Sequence, residues 1–257
     1  MQDVLNLRRS KVPEVTLAFW VIKIAATTLG ETGGDAFSMT MQLGYVISTV
    51  IFMAFFVVTA AAQIRARSFH PFLYWAVIVA TTTAGTTMAD FADRSLGIGY
   101  AGGSLILSAL VLTVLGLWWR SIGSVSVSSI TSPKVEMFYW VTILFSNTLG
   151  TALGDWLADS GLGYEGGALV FAGVLAIVAA AYAFTGMSRT LLFWAAFILT
   201  RPLGATVGDY LTKPHANGGL DLSRLSSSAA ITLFILACIL FIPQRAGSHP
   251  GQDEQSA

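Results

Sequence analysis

Eight stretches of the chain run apolar for about the 20 residues that a helix needs to cross a hydrocarbon core. They fall at 14–35, 43–64, 72–93, 100–119, 135–158, 165–186, 190–211 and 226–243. Only 11% of the 257 residues are charged, and the mean hydropathy is +0.70. A water-soluble domain carries about 25% charged residues, enough to coat its surface. The sequence therefore predicts an all-α integral membrane protein, one membrane domain over 1–257. In lipid every backbone polar group must be satisfied within the protein, so runs of this length and composition can only be helices. Cys238 stands alone inside an apolar run, which leaves no disulfide framework. The formal net charge is zero, with no basic excess to draw nucleic acid as a partner. The first run, Val15 to Ala26, leads into Thr27-Thr28 rather than a small-residue cleavage site, and the residues around Arg8-Arg9 fit a twin-arginine signal poorly. The first span is therefore expected to be retained.

Basic residues orient the spans. Arg8, Arg9, Lys11, Arg65, Arg67, Arg120, Lys134, Arg189 and Arg245 fall at one set of ends, and Arg94, Lys213 and Arg224 at the other. Basic loops stay cytoplasmic, so both termini are expected inside, with the loops after spans one, three, five and seven outside. Two connections of any length have loop composition, 121–133 and 213–227, and residues 246–257 read as a disordered tail. Trp20 and Trp118-Trp119 lie near the inner boundary and read as ordinary interface residues.

The odd spans repeat one another. TLGETGGD (28–35), TAGTTMAD (83–90), TLGTALGD (148–155) and PLGATVGD (202–209) share the pattern G-x-x-x-[GA]-D. Gly30, Gly85, Gly150 and Gly204 lead to Asp35, Asp90, Asp155 and Asp209, at intervals of 55, 65 and 54 residues. A tyrosine motif follows, LGY at 43–45, IGY at 98–100 and LGY at 162–164, and Gly218-Gly219 stands in its place in the last unit. The units are expected at 11–68, 69–123, 134–188 and 189–245. Two spans per unit keep all four in one orientation, so the expected fold is eight transmembrane helices as four parallel two-helix hairpins around a polar centre.

Four such repeats with a G-x-x-x-[GA]-D core resemble the bacterial "membrane-anchored" protein family built from repeats of unknown function. The resemblance runs from Lys11 to about Arg245. It implies an eight-span, multi-pass protein of the bacterial inner (plasma) membrane. For activity it implies no more than an association with metal-ion handling, and with that export.

The glycines have a packing explanation. Gly30/Gly34, Gly150/Gly154 and Gly204/Gly208 form G-x-x-x-G pairs, and Gly85/Ala89 nearly does. Small residues at this spacing let helix backbones approach closely in a membrane. Packing leaves the aspartates unexplained, since an acid at a helix C-terminus meets the negative end of the helix dipole. Stepping back by four from each aspartate gives Thr27-Glu31-Asp35, Thr82-Thr86-Asp90, Asn147-Thr151-Asp155 and Arg201-Ala205-Asp209. Residues four apart share a helix face, and all but Ala205 are polar. Lys23 extends the first stripe inward. Four such faces are best satisfied by turning toward one axis.

In that site Glu31, Asp35, Asp90, Asp155 and Asp209 would act as cation ligands, with Thr27, Thr82, Thr86, Asn147 and Thr151 as a supporting polar face. Lys23 and Arg201 would be counter-ions or coupling residues, and Asp93 and Asp159, further out, an acidic vestibule. Five acids against two bases leave an expected balance of −3, which calls for protons, metal ions or water. His70, His215 and His249 lie in loops or the tail, and the site offers oxygen ligands only, which suit hard cations rather than copper or zinc. The expected function is a transporter of manganese or another divalent metal, coupled to protons, with no permanently bound cofactor. The expected partners are the lipid bilayer and the cation, and a homo-oligomer stays open. The alternatives are a cation channel and a non-transporting ligand-binding or scaffold protein. No nucleophile–base pair argues for an enzyme.

Overall fold

The computed structural model describes residues 10–127, 130 and 132–247. The basic pair Arg8-Arg9 and residues 248–257 of the expected tail lie outside that range. Among the described residues the secondary structure is helical, apart from one antiparallel bridge between Pro13 and Ala246. That bridge ties the start of the tail to the N-terminal segment, so residues 246 and 247 are paired rather than free: Gly247 N–H donates to the Val12 carbonyl at 3.2 Å.

The helices are α1 (Leu17–Asp35), α2 (Gly44–Arg65), α3 (Pro71–Asp90), α4 (Gly99–Ile122), α5 (Pro133–Leu157), α6 (Gly163–Phe184), α7 (Arg189–Thr212) and α8 (Arg224–Phe241). Six helical stretches among the described residues are long and apolar enough to cross a membrane, and α1, interrupted by Lys23 and Glu31, is not one of them. Local chemistry starts the odd helices. The Thr16, Ser132 and Ser188 hydroxyls accept from the backbone N–H of Phe19, Val135 and Leu191, and Pro71 and Pro133 open α3 and α5. Capping of this kind satisfies otherwise orphaned amides.

The odd helices form a closed inner ring: α1 packs on α3, α3 on α5, α5 on α7, and α7 back on α1. The repeated glycines build each seam. A Cβ on Gly30 would stand 2.5 Å from Thr82 Cβ, one on Gly85 3.0 Å from the Asn147 backbone, one on Gly150 2.4 Å from Arg201 Cγ, and one on Gly204 2.1 Å from Thr27 Oγ1. Each first glycine of the motif thus faces the residue eight before the aspartate of the next unit, and the fourth faces the first. The second small residue repeats the contact one turn on: Gly34 meets Thr86, Gly154 meets Ala205 and Gly208 meets Glu31.

The even helices form an outer layer, but not as hairpins. Instead α2 packs on α3, α4 on α5, α6 on α7 and α8 on α1. Each outer helix covers the inner helix of the following unit, and the last returns to the first. The expected hairpin is therefore opened and passed one place around the ring. The linkers explain how. In the first three units the chain leaves the aspartate-bearing helix through a π-helical segment, Ala36–Thr40, Phe91–Ser95 and Ala158–Leu162. It then turns at Gly44, Gly99 and Gly163 with φ of 74°, 75° and 66°. These are the glycines of the LGY and IGY motifs, and that backbone region favours glycine.

A valine at Gly204 is expected to destabilise the protein by about 1–3 kcal/mol, because it forces apart a seam with no slack. Alanine at Gly116 or Gly173, helical positions with nothing within 4 Å, should instead be neutral or stabilising by up to about 1 kcal/mol. Thermal unfolding of the purified protein in detergent reads both.

Candidate functional site

The axis of the inner ring is layered by the register of the repeat. The central layer is organised by Arg201 of α7, which is fully buried. Its Nη2 lies 3.1 Å from Glu31 Oε2 of α1, 2.5 Å from Thr86 Oγ1 and 3.4 Å from the Thr82 carbonyl of α3, and 2.6 Å from Thr151 Oγ1 of α5. One guanidinium nitrogen therefore touches all three other inner helices. Thr86 also donates to the Gly30 carbonyl at 3.1 Å, and its hydroxyl lies 3.2 Å from Glu31 Oε2. The remaining polar positions hold the seams. Thr27 and Thr82 donate to the Thr200 and Ala26 carbonyls at 3.2 and 3.1 Å, and Asn147 Nδ2 donates to Thr81 Oγ1 at 3.0 Å.

One turn outward, Asp35, Asp90, Asp155 and Asp209 are all buried, but two by two. Arg94 lies 2.7 Å from Asp90 Oδ1 and 3.8 Å from Asp155 Oδ2. Lys213 lies 2.7 Å from Asp35 Oδ2 and 3.0 Å from Asp209 Oδ1, and Arg224 approaches Asp35 at 3.5 Å. The expected five-acid site is thus resolved into parts. Glu31, Asp35 and Asp209 bring one oxygen each to within 4.8 Å of one another, the geometry of a possible metal-binding group. Asp90 and Asp155 are not part of that group, and Arg94 contacts both. Asp93 is half-buried and Asp159 exposed. Asp93 Oδ1 fills the space beside Gly103, 2.7 Å from where a Cβ would stand, and neither acid joins the group.

Arg94, Lys213 and Arg224, expected at the outer ends of the spans and outside the balance of −3, are part of this layer. With these three counted, the four aspartates carry one negative charge in excess. The signal was present: Arg94 and Lys213 each stand four residues after a repeat aspartate, one turn up the same face. Burial lowers the Lys213 ammonium pKa, but Asp209 and Asp35 more than reverse this and hold it well above the ordinary lysine value. With the folded value raised, its stabilising contribution is intact at all pH values below the ordinary lysine range and is lost only as pH rises beyond it. Lys213 is therefore a fixed cation at neutral pH.

One turn inward from Arg201, Lys23 is fully buried. Its Nζ lies 4.2 Å from the centroid of the Phe197 ring and has no hydrogen-bond partner among the described residues. Lys23 does not pair with Glu31, whose partner is Arg201. The next layer is aromatic. Phe19, Tyr74, Tyr139 and Phe193 occupy one register position in the four units, followed by Trp20, Trp75, Trp140 and Trp194. Tyr74 and Tyr139 share a 2.9 Å hydroxyl–hydroxyl bond, and Phe19 and Phe193 approach to 6.4 Å between centroids. An [FY]-W dipeptide at 16 and 15 residues before each aspartate was a fourth element of the repeat. Trp20 belongs to it and is not an isolated interface residue.

The family model described as Repeat of Unknown Function (DUF347) matches the chain four times, at residues 18–69, 73–124, 138–188 and 192–245. The chain belongs to this family. No curated protein and no solved structure matches it.

Removing one partner of a buried ion pair strands the other, at a cost of about 3–5 kcal/mol. Glu31→Gln is therefore expected to lower stability by roughly that amount, and adding Arg201→Met should recover most of the loss. A double-mutant cycle on thermal unfolding measures the coupling, and additive losses would show that the pair is not the link between α1 and α7.

Proposed function

We propose that this member of the repeat family is a multi-pass transporter of the bacterial inner membrane that carries a hard cation, manganese or another divalent metal. In this reading the chain crosses the membrane eight times as four parallel two-helix units around a polar centre, with both termini cytoplasmic. The cation binds at Glu31, Asp35 and Asp209. One observation carries the reading: three carboxylate oxygens from α1 and α7 converge within 4.8 Å in a buried position. Asp35 Oδ1 there has no hydrogen-bond partner. Buried charge in a membrane is costly and marks ion pathways. A site of oxygen ligands alone favours manganese, magnesium or calcium over zinc or copper.

Two features favour a carrier over the channel alternative. The Arg201 guanidinium bridges all four inner helices on the axis, and the aromatic layer lies below it. A permeating cation would have to pass a fixed positive charge. We further propose exchange for protons, since protons and metal compete for the same carboxylates, and export as the direction. The protein needs no resident cofactor and performs no covalent chemistry.

Reconstituted in liposomes, the protein should take up manganese saturably and change the internal pH. Asp35→Asn and Asp209→Asn should each reduce the rate at least tenfold, while Asp90→Asn and Asp155→Asn, whose acids lie outside the three-oxygen group, should have smaller effects. Ohmic flux would select the channel. Equal transport by all four variants would make the acids structural, and no movement of any cation under any gradient would end the transport reading.

A further inference from the structure

The inner half of the axis has the opposite charge defect from the outer half. Lys23 and Arg201 stand one turn apart in register on α1 and α7, helices that pack directly on each other. Both side chains are fully buried. Glu31 is the single carboxylate bonded to either of them among the described residues, and it meets Arg201 through Nη2. With Lys23 as an ammonium, two cations and one carboxylate leave one positive charge in these layers. The hydrogen-bond inventory has the same imbalance. Lys23 Nζ, Arg201 Nε and Arg201 Nη1 all lack partners, and Asn147 Oδ1 is the one unpartnered acceptor in these layers. A buried ammonium with no acceptor is among the costliest arrangements a protein can hold. The Phe197 ring face offsets part of that cost, but it accepts no hydrogen bond along the N–H directions that point elsewhere.

We propose that Lys23 and Arg201 hold a small monovalent anion between the carboxylate layer and the aromatic layer. An anion of the size of a halide, nitrate or formate would supply the missing acceptor to Lys23 Nζ and to the free guanidinium N–H groups. It would also bring Lys23, Arg201 and Glu31 to neutrality. The aromatic layer formed by Phe19, Tyr74, Tyr139 and Phe193 closes the inner side of this site, and the Arg201–Glu31 pair closes the outer side. Selection then follows from charge and size: the donors exclude cations, the closed layers exclude anything with a bulky substituent, and a single excess positive charge matches a single negative one. The site shares Glu31 with the proposed cation group, but its donors, Lys23 Nζ and the Arg201 N–H groups, come from register positions inward of Asp35 and Asp209, and its readout needs no transport.

The test compares salts at equal sodium concentration, on the full chain in a neutral detergent. Sodium gluconate serves as the reference, its anion being too large for the site. Chloride, bromide and formate should each raise the unfolding midpoint by about 2–4 °C in a saturable manner, as expected for a ligand that binds only the folded protein. Lys23→Met should abolish the rise, and in gluconate it should be at least as stable as the parent, because it removes an unpaired buried charge. Lys23→Arg should keep the rise. If all three salts leave the parent at its gluconate midpoint, the orphaned donors are served by water and the proposal is wrong. A rise of the same size in Lys23→Met would place the anion elsewhere and overturn it equally.

Discussion

A guanidinium on the axis of a helix ring needs acceptors from several directions at once, and Arg201 finds them on α1, α3 and α5 together. Such a buried ion pair adds little net stability compared with well-packed apolar residues. What it fixes is register. If any one inner helix slid by a turn, it would carry Glu31, Thr86 or Thr151 out of reach and leave a buried charge unmet. The glycines make this possible. Gly150 leaves the space that Arg201 Cβ and Cγ occupy, at 2.6 and 2.4 Å from where its own Cβ would stand. The pair also defines where the four-fold pattern breaks. The unit with the base has Ala205 at the position of Glu31, and the unit with the acid has Thr27 at the position of Arg201.

Much of the inner ring was legible in the sequence because it depends on local periodicity. A residue type that returns every four positions within a helix and every unit along the chain must face a common environment. The burial of the four aspartates on the inner helices followed from that, but their division into two pairs did not. The outer arrangement was not legible. Whether α2 packs on α1 or on α3 depends on the path of a linker only a few residues long. The LGY glycines mark that linker without specifying its direction, since a positive φ is compatible with either turn of the chain. The contacts of the basic residues were hidden for a related reason. Arg94 and Lys213 follow the aspartates closely enough to look like loop charges, yet a long side chain can reach back over a turn to a buried carboxylate. The aromatic dipeptides were missed because tryptophan near a membrane boundary has a ready explanation in interface anchoring, and that explanation hid their repetition.

Passing each outer helix to the next inner helix has a consequence for the number of units. Every contact in the ring joins unlike faces, in the manner of a heterologous assembly, which either closes or continues indefinitely. In this chain α8 covers α1 and Gly204 meets Thr27, so the fourth unit closes on the first. A piece made of two units would leave one inner helix uncovered and one outer helix with nothing beneath it. The four similar parts of the sequence thus form one closed ring of contacts. The bridge between Pro13 and Ala246 and the bond from Glu14 N–H to the Arg245 carbonyl at 2.9 Å bring the two ends of the described residues together.

The repeat also explains how one axis can carry opposite charge defects in adjacent layers. Four copies of an aspartate at one level would be untenable without cations, and the chain supplies three from positions where the repeat is free to vary: Arg94, Lys213 and Arg224. It stops one short of neutrality. One level further in, two units depart from the threonine pattern in opposite senses, at Glu31 and Arg201, and would cancel if Lys23 were apolar like its equivalents Ile78, Ile143 and Phe197. Lys23 therefore creates the inner defect by itself. A structural ring would have no reason to keep it, since a leucine or methionine there would pack against Phe197 without leaving a charge. With Lys23 as an ammonium the two defects are of equal size and opposite sign and lie on either side of a single ion pair, so an ion bound at one side would change the field at the other. That coupling runs through the Glu31–Arg201 contact, the one place where a carboxylate of the outer group is bonded to a cation of the inner one.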